Sequence, residues 1–190
     1  MTHPKLFMLL LGCRPLGRNT EQHDVFFGIG ATVKDLVPSL KSFWPEAKAS
    51  LHVDAWREVT MVNGYRISVV PRTEAATIAP EEQAKLFFLN LGGYKATEFD
   101  EFHYKMLVVA RTKAEAIRQA RQTAFYKHTG FKGAPAHVDD KFGVDVDELY
   151  QVKELLPEET KRRYSLTLSS TTASSSADEL HLGYFKLNKL

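Results

Sequence analysis

The sequence has a single cysteine, Cys13, so no internal disulfide can hold the fold together. It also lacks a long apolar run, because the stretch Leu6–Leu11 ends at Gly12, far short of the roughly 20 residues that a membrane-spanning helix needs. No charge sign dominates, since 25 basic and 23 acidic residues leave a formal net charge of +2. These absences give no argument for a membrane or a nucleic-acid partner, and we expect a cytoplasmic protein.

Hydrophobic residues, in contrast, make up 44% of the chain, enough for a sizeable buried core. The apolar stretch Lys5–Gly12 recurs as Lys85–Gly92. Residue pairs that keep a matching spacing follow each stretch: His23 and His103, Thr32 and Thr112, and, after one insertion, His52 and His137. The sequence therefore predicts an internal duplication.

Each copy is predicted to run strand, strand, helix, strand, strand. In the first copy, Lys5–Leu11 is a continuous apolar run, which is typical of a strand buried on both faces, and His23–Gly30 follows as a second strand. Thr32 with Asp35 favours a helix start at this point. Pro38 inside that helix removes a backbone hydrogen bond, so we expect a kink there.

A hairpin signal and a capping box mark the later parts of the copies. Asn63-Gly64 favours a tight turn, because both residues tolerate positive φ, and it would join strands at Leu51–Val59 and Tyr65–Val70. Thr112 and Glu115 form a capping box in the second copy. The remaining predictions for that copy are strands at Ala136–Asp140 and Tyr150–Leu155, joined by the acidic stretch Asp145–Glu148.

These elements predict an α+β protein of two tandem β-β-α-β-β repeats with pseudo-two-fold symmetry and mainly antiparallel sheets, packed as one compact unit. The predicted boundaries are 1–72 and 85–157 for the repeats, 73–84 for a linker and 158–190 for a C-terminal extension. The extension should contain a pair of strands, Tyr164–Leu168 and Leu180–Leu187, around the Ser/Thr-rich loop Ser169–Ser176. The last strand would add to a sheet edge or cross to a second subunit, so a homodimer is plausible.

Histidine and acidic residues recur on the predicted strands. Alternation places Glu21 and His23 on one strand face, and His52 and Asp54 on one face of another strand. The second copy repeats these pairs as Glu101 with His103 and His137 with Asp139. We therefore take His23, Asp54, His103 and Asp139 as candidate ligand-binding residues.

Three interpretations of this polar set compete. The pairs can be buried hydrogen-bonded bridges that fix strand order. They can be a divalent metal site with Glu21, His23, His52 and Asp54 as candidate ligands, because two imidazoles and a carboxylate are a sufficient set for zinc or ferrous iron. They can also support general acid–base catalysis by His52 and His137, brought together across the pseudo-two-fold axis.

The catalytic interpretation has an analogy in the two-histidine phosphoesterases, which carry His-x-Thr motifs on symmetry-related strands. Here Asp54 and Asp139 replace the hydroxyl residue, and their negative charge would repel a phosphate. Separately, Arg14 and Arg18 in the loop after the first strand are a candidate anion site, or a solvated basic loop. Cys13 is either a nucleophile activated by a nearby histidine or an inert buried thiol.

Three segments carry a resemblance to a known family: Lys5–Gly12, Glu21–Phe27 and Leu51–Val59. The chain resembles the bacterial family called domain of unknown function 1543, whose members carry the domain once or twice. The resemblance implies a duplication and no activity, cofactor or catalytic residue. Our leading hypothesis is a non-enzymatic protein that binds a small ligand or a metal, with no other cofactor. The alternative is a hydrolase or phosphoesterase that uses His52 and His137.

Overall fold

The computed structural model describes residues 3–72, 83–94, 98–122, 144–172 and 177–190. The chain divides into two compact units, of which the first comprises Met1–Ala76 with Leu155–Leu190 and the second Thr77–Glu154. The expected combination of a few helices with mostly antiparallel sheets is confirmed. Within the described ranges, no helix has both the length and the apolar character needed to cross a membrane.

The first unit holds most of the strands. Its strands are β1 (Lys5–Cys13), β2 (Gln22–Gly30), β3 (His52–Glu58), β4 (Met61–Val62), β5 (Tyr65–Pro71), β9 (Tyr164–Ser170) and β10 (His181–Lys186). Its helices are α1 (Val37–Phe43) and α4 (Glu158–Arg163), with 3₁₀ segments at Val33–Leu36, Pro45–Ser50 and Leu187–Lys189. The second unit holds β6 (Lys85–Gly93), β7 (Phe102–Ala110), α2 (Lys113–Ala120) and β8 (Val144–Gln151). Helix α3 (Val152–Leu155) spans the boundary between the units.

Strand β1 lies inside the main sheet of the first unit, which has the order β10-β3-β1-β2 with antiparallel pairing throughout. Leu9 and Leu11 of β1 are fully buried and belong to a core cluster that includes Leu36 and Leu40 from the helical segment. The continuous apolar run of β1 therefore matches its position between two neighbouring strands, as predicted.

The helical segment after β2 begins at Thr32, as expected. The Thr32 backbone N–H donates to Asp35 Oδ2 at 2.8 Å, and this bond and the Thr32 hydroxyl lower the pKa of the Asp35 carboxyl. The segment starts as a 3₁₀ turn and continues as α1, with Pro38 in the first turn of α1. The predicted kink is therefore a change of helix type, because proline is tolerated where its missing N–H would have no intrahelical partner.

The tight turn at Asn63-Gly64 forms, with φ values of 49° and 77°. It joins β4 to β5, however, so the predicted hairpin of Leu51–Val59 with Tyr65–Val70 is wrong. Strand β3 has no free edge, because β1 and β10 pair with it on either side. Strand β5 instead lies in a separate sheet of order β4-β5-β9.

The two predicted C-terminal strands form, and the last one adds to a sheet edge, as expected. Strand β9 pairs with β5 and β10 pairs with β3, so each completes an open edge of the first unit. Asp178, just before β10, holds the connection: its Oδ1 accepts from the backbone N–H of Thr60 at 3.1 Å and of Met61 at 3.2 Å. The C-terminal extension is thus an integral part of the first unit.

The second unit has one described sheet, of order β7-β6-β8. Phe87, Leu89 and Leu91 of β6 form its core with small residues of α2. The predicted strand Ala136–Asp140 lies outside the described residues. The stretch Asp145–Glu148 is strand rather than loop, and most of Tyr150–Leu155 is helix α3 rather than strand. An edge strand tolerates acidic residues on its solvent face, and the alternation of valine with aspartate in β8 fits this position.

Candidate metal centre

Two histidines flank a glycine at one end of the main sheet. Gly12 of β1 pairs with His23 of β2 and with His52 of β3, so both imidazoles stand on the same face on either side of it. A Cβ atom at position 12 would come within 2.5 Å of His52 Nε2 and even closer to the Asp54 carboxylate. Glycine is therefore required here, because the space above it is occupied by the converging side chains.

Asp54 is the extra residue of a β-bulge in β3. Leu10 pairs with Ala55 and Leu11 with Val53, so Asp54 has no partner on β1. Bulges redirect a side chain without ending the strand. The bulge leaves Asp54 without a partner on β1, and its carboxylate lies on the same side as His52.

Glu21, His23, His52 and Asp54 form a ring of alternating acidic and imidazole groups. His52 Nε2 lies 3.1 Å from Glu21 Oε1 and 3.2 Å from Asp54 Oδ1. His23 Nε2 lies 3.3 Å from Asp54 Oδ2 and 3.9 Å from Glu21 Oε2. His52 is only 2% exposed, whereas the side chains of His23 and Glu21 are 42% and 45% exposed. The ring is thus closed at its base and open to solvent on one side.

The hydrogen bonding of His52 leaves one nitrogen without a partner. Its Nδ1 lies 2.8 Å from the backbone carbonyl oxygen of Ser50, which can only accept, so Nδ1 carries the proton and donates. Neither contact of Nε2 forms a hydrogen bond, and Asp54 Oδ2 also has no hydrogen-bond partner although both atoms are buried. A positive charge on this side of the imidazole, either a proton on Nε2 or a bound cation, would offset the two carboxylates.

Aromatic side chains of strand β10 pack against this cluster and beside it. The ring of Tyr184 packs against the imidazole of His52, with centroids 4.1 Å apart and planes inclined by 32°. His181 of the same strand stacks on Trp56, with centroids 3.7 Å apart and planes inclined by 11°. These contacts were not predicted from the sequence, because only the pairing of β10 with β3 brings the C-terminal strand to the site.

A smaller cluster occupies the corresponding place in the second unit. Gly92 pairs with His103, and Asp147 is the extra residue of a bulge, since Asn90 pairs with Glu148 and Leu91 with Val146. His103 Nε2 lies 3.4 Å from Asp147 Oδ2 and 4.0 Å from Glu101 Oε2. One donor atom from each of these three residues lies within 4.8 Å of the others.

Asp147 was missed by the sequence analysis, which assigned the acidic role to Asp139. His137 and Asp139 lie outside the described residues, and the residue that pairs with Gly92 on β8 is Asp145 rather than His137. Asp145 thus occupies, relative to Gly92, the register position that His52 occupies relative to Gly12. The Val-Asp dipeptide of Val53-Asp54 recurs at Val138-Asp139, Val144-Asp145 and Val146-Asp147, so it does not by itself single out Asp147 in the sequence.

The other candidate residues do not join the ring of four. Arg14 and Arg18 are exposed. Cys13 is fully buried in the core. Burial, and then the negative charges of Glu21 and Glu46, raise the pKa of its thiol. Cys13 is therefore held protonated, which opposes a nucleophilic role.

A cavity of about 820 Å³ lies elsewhere in the first unit. Its walls include Phe7, Trp56 and His181 but none of the four residues of the ring. Lys5 and Glu58 on its wall pair with each other at 2.8 Å. The cavity thus has room for a small molecule, but the unpartnered imidazole and carboxylate atoms lie at the ring instead.

Comparison with known families supports the resemblance. Residues 18–69 match the family model Domain of Unknown Function (DUF1543). The DUF1543 match contains all four residues of the ring and falls within the first unit. The chain is also similar to the crystal structure of a protein Il1583 from Idiomarina loihiensis. The structural match covers 97% of each chain, with 23% sequence identity and a TM-score of 0.63. That likeness shows a shared fold. No curated protein matches the chain.

Proposed function

We propose that the protein binds a divalent transition-metal ion through Glu21, His23, His52 and Asp54. The observation that carries this proposal is the buried Nε2 atom of His52, which faces two carboxylates without a hydrogen bond. Metal-bound histidines commonly donate their other ring N–H to a carbonyl, which fixes the tautomer and the ring orientation. The bond from His52 Nδ1 to the Ser50 carbonyl has this form.

The donor types favour zinc or ferrous iron, and neighbouring donors around the ring have about the spacing that zinc needs, whereas donors across the ring must move closer together to share one ion. Imidazole nitrogens and carboxylate oxygens bind zinc at about 2.0–2.2 Å, so tetrahedral donors stand roughly 3.3–3.6 Å apart. Contacts around the ring of four range from 3.1 to 3.9 Å. Two imidazoles make the set too soft for magnesium or calcium, which prefer oxygen ligands. The exposed side chains of Glu21 and His23 give the ion a path from solvent.

The competing explanation is a protonated His52 that bridges the two carboxylates without a metal. A proton on Nε2 would lie in the plane of the imidazole and point straight outward from the nitrogen. Neither carboxylate oxygen accepts a hydrogen bond in that direction. A cation placed in this same direction from Nε2 is larger than a proton and can contact carboxylates that lie to either side. The geometry therefore favours a metal ion over a structural bridge.

We also propose a common origin for the two units. Strands β2-β1-β3 and β7-β6-β8 share their strand order, a glycine opposite a histidine, and a bulge whose extra residue is aspartate. These shared features support a tandem duplication, as the family resemblance implied. Pseudo-two-fold packing, homodimer formation and the hydrolase alternative with His137 stay predictions.

Zinc titration of the purified full chain tests the proposed site. We expect His52→Ala to lower the affinity for zinc at this site by at least about 100-fold, because a direct ligand is lost. Since His52 is buried, His23→Ala serves as a second variant on an exposed ligand and should have a similar effect. His3→Ala, an exposed histidine outside the ring, is the matched control. Wild-type affinity in both ring variants, or no zinc binding by the wild type, would refute the proposal.

Gly12→Ala should weaken zinc binding although it removes no ligand. The added methyl group would overlap Asp54 and His52 Nε2, so both side chains must move. We expect a loss of roughly 10–100-fold in zinc affinity, as for other changes that displace ligands. Calorimetric titration measures this loss, and Gly92→Ala in the second unit is the matched control. Equal zinc affinities for the two glycine variants would contradict the assigned position of the site.

A further inference from the structure

We infer that the second unit carries its own cation site, formed by Glu101, His103 and Asp147, with a preference for a harder ion such as Mn²⁺. This inference stands on a different cluster from the proposed zinc site and does not depend on it. The three residues come from the start of β7 and from the bulge of β8, two strands that flank β6.

Convergence of the donor atoms is the first observation. His103 Nε2, an oxygen of Glu101 and an oxygen of Asp147 all lie within 4.8 Å of one another. An ion with ligands at about 2.0–2.2 Å needs donors roughly 3–4.4 Å apart, depending on whether they are adjacent or opposite. Small rotations of these partly exposed side chains would bring all three atoms onto one ion.

The backbone beneath the cluster provides the space for it. A Cβ atom at Gly92 would come within 2.8 Å of Asp147 Cγ, so any side chain there would displace the carboxylate. The bulge at Asp147 interrupts the pairing of β6 with β8 at this point. A bare glycine and a redirected aspartate thus create a recess above β6, in the same way as above Gly12.

Tyr94 positions one of the carboxylates. Its hydroxyl donates to Glu101 Oε1 at 3.0 Å, which leaves Oε2 as the oxygen nearer His103. Tyr94 is therefore a positioning residue that selects which oxygen of Glu101 faces the cation.

The composition of the cluster determines the class of ion. One imidazole and two carboxylates make a harder donor set than the two imidazoles and two carboxylates of the first unit. Three protein ligands leave other coordination positions for water, which suits an octahedral ion. His103 and Glu101 are also both partly exposed, in contrast to the buried His52. We therefore expect weaker and more rapidly exchanging binding than in the first unit.

Manganese titration of the full chain, followed by the electron paramagnetic resonance signal of free Mn²⁺, tests this inference. We expect His103→Ala and Asp147→Asn each to reduce Mn²⁺ affinity by about tenfold or more. Tyr94→Phe should give a smaller loss, because it frees Glu101 without removing a ligand. Glu159→Gln, a largely exposed carboxylate on α4, is the matched control and should titrate as the wild type.

The two sites can be separated in the same set of variants. Loss of Mn²⁺ binding in His103→Ala, with wild-type Mn²⁺ binding in His52→Ala, supports the second site whatever the zinc result is. Wild-type Mn²⁺ affinity in both His103→Ala and Asp147→Asn would overturn it. If His52→Ala abolishes Mn²⁺ binding, the ion occupies the first unit, and the inference is again refuted while the proposed function stands.

Discussion

Leu9→Ala is expected to lower the free energy of unfolding of the first unit by about 2–5 kcal/mol. Leu9 is 0% exposed, and its strand lies between two neighbours, pairing it with Phe26 and Trp56. Truncation would remove buried methyl groups and leave a cavity that the surrounding sheet can fill only partly. Urea unfolding followed by tryptophan fluorescence measures the effect, because both tryptophans, Trp44 and Trp56, belong to the first unit.

Two further variants give this experiment its controls. Leu182→Ala changes a leucine that is 71% exposed on β10, and its cost should stay within about 0.5 kcal/mol. Leu89→Ala removes the equally buried leucine of β6 and should destabilise the second unit by a similar 2–5 kcal/mol, visible by circular dichroism. A Leu9→Ala midpoint no lower than that of Leu182→Ala would contradict the central position of β1.

Zinc should stabilise the first unit at neutral pH, and this stabilisation should disappear in acid. At a free zinc concentration of about 100 times the dissociation constant, the expected gain is about 2.7 kcal/mol. The ligands must be deprotonated to bind, so protons compete with zinc and the gain falls as the pH decreases from about 7.5 to about 5. Thermal unfolding by tryptophan fluorescence, with zinc and with a chelator, measures the difference.

Variants of the ring of four test whether the stabilisation by zinc comes from this site. His52→Ala should unfold at the same temperature with zinc and with chelator, since the buried ligand is gone. An unchanged midpoint of the wild type at neutral pH would mean that the ring of four does not bind the ion. A shift that persists in both His52→Ala and His23→Ala would place the stabilising ion elsewhere in the chain.

Features set by residues close together in the chain could be predicted from the sequence. The apolar run of β1 indicated a strand between two others, and Asn63-Gly64 indicated a tight turn with positive φ. Alternation also placed Glu21 and His23 on one face and His52 and Asp54 on another, and the pairing of β1 with both strands brings the two faces together. Periodicity and turn chemistry operate over a few residues, which is why they can be recognised in one chain.

Features that depend on which strands pair with one another could not be predicted from the sequence. The destinations of β5, β9 and β10 follow from which sheet edges are open, and this is a property of the assembled unit. Asp147 was missed because acidic composition suggested a loop, whereas its strand shows alternation interrupted by one bulge residue. The packing of Tyr184 against His52 likewise depends on a contact between residues far apart in sequence.

The bulges also affect how such sites can be lost during evolution. Asp54 and Asp147 are each the residue that β1 or β6 leaves without a partner, so deleting either one would restore regular pairing of the flanking residues. One in-frame codon deletion could thus remove a carboxylate and keep the sheet, with less disruption than most deletions inside a strand. In an alignment of relatives, a one-residue gap at this position would separate chains that retain the acidic group from those that have lost it.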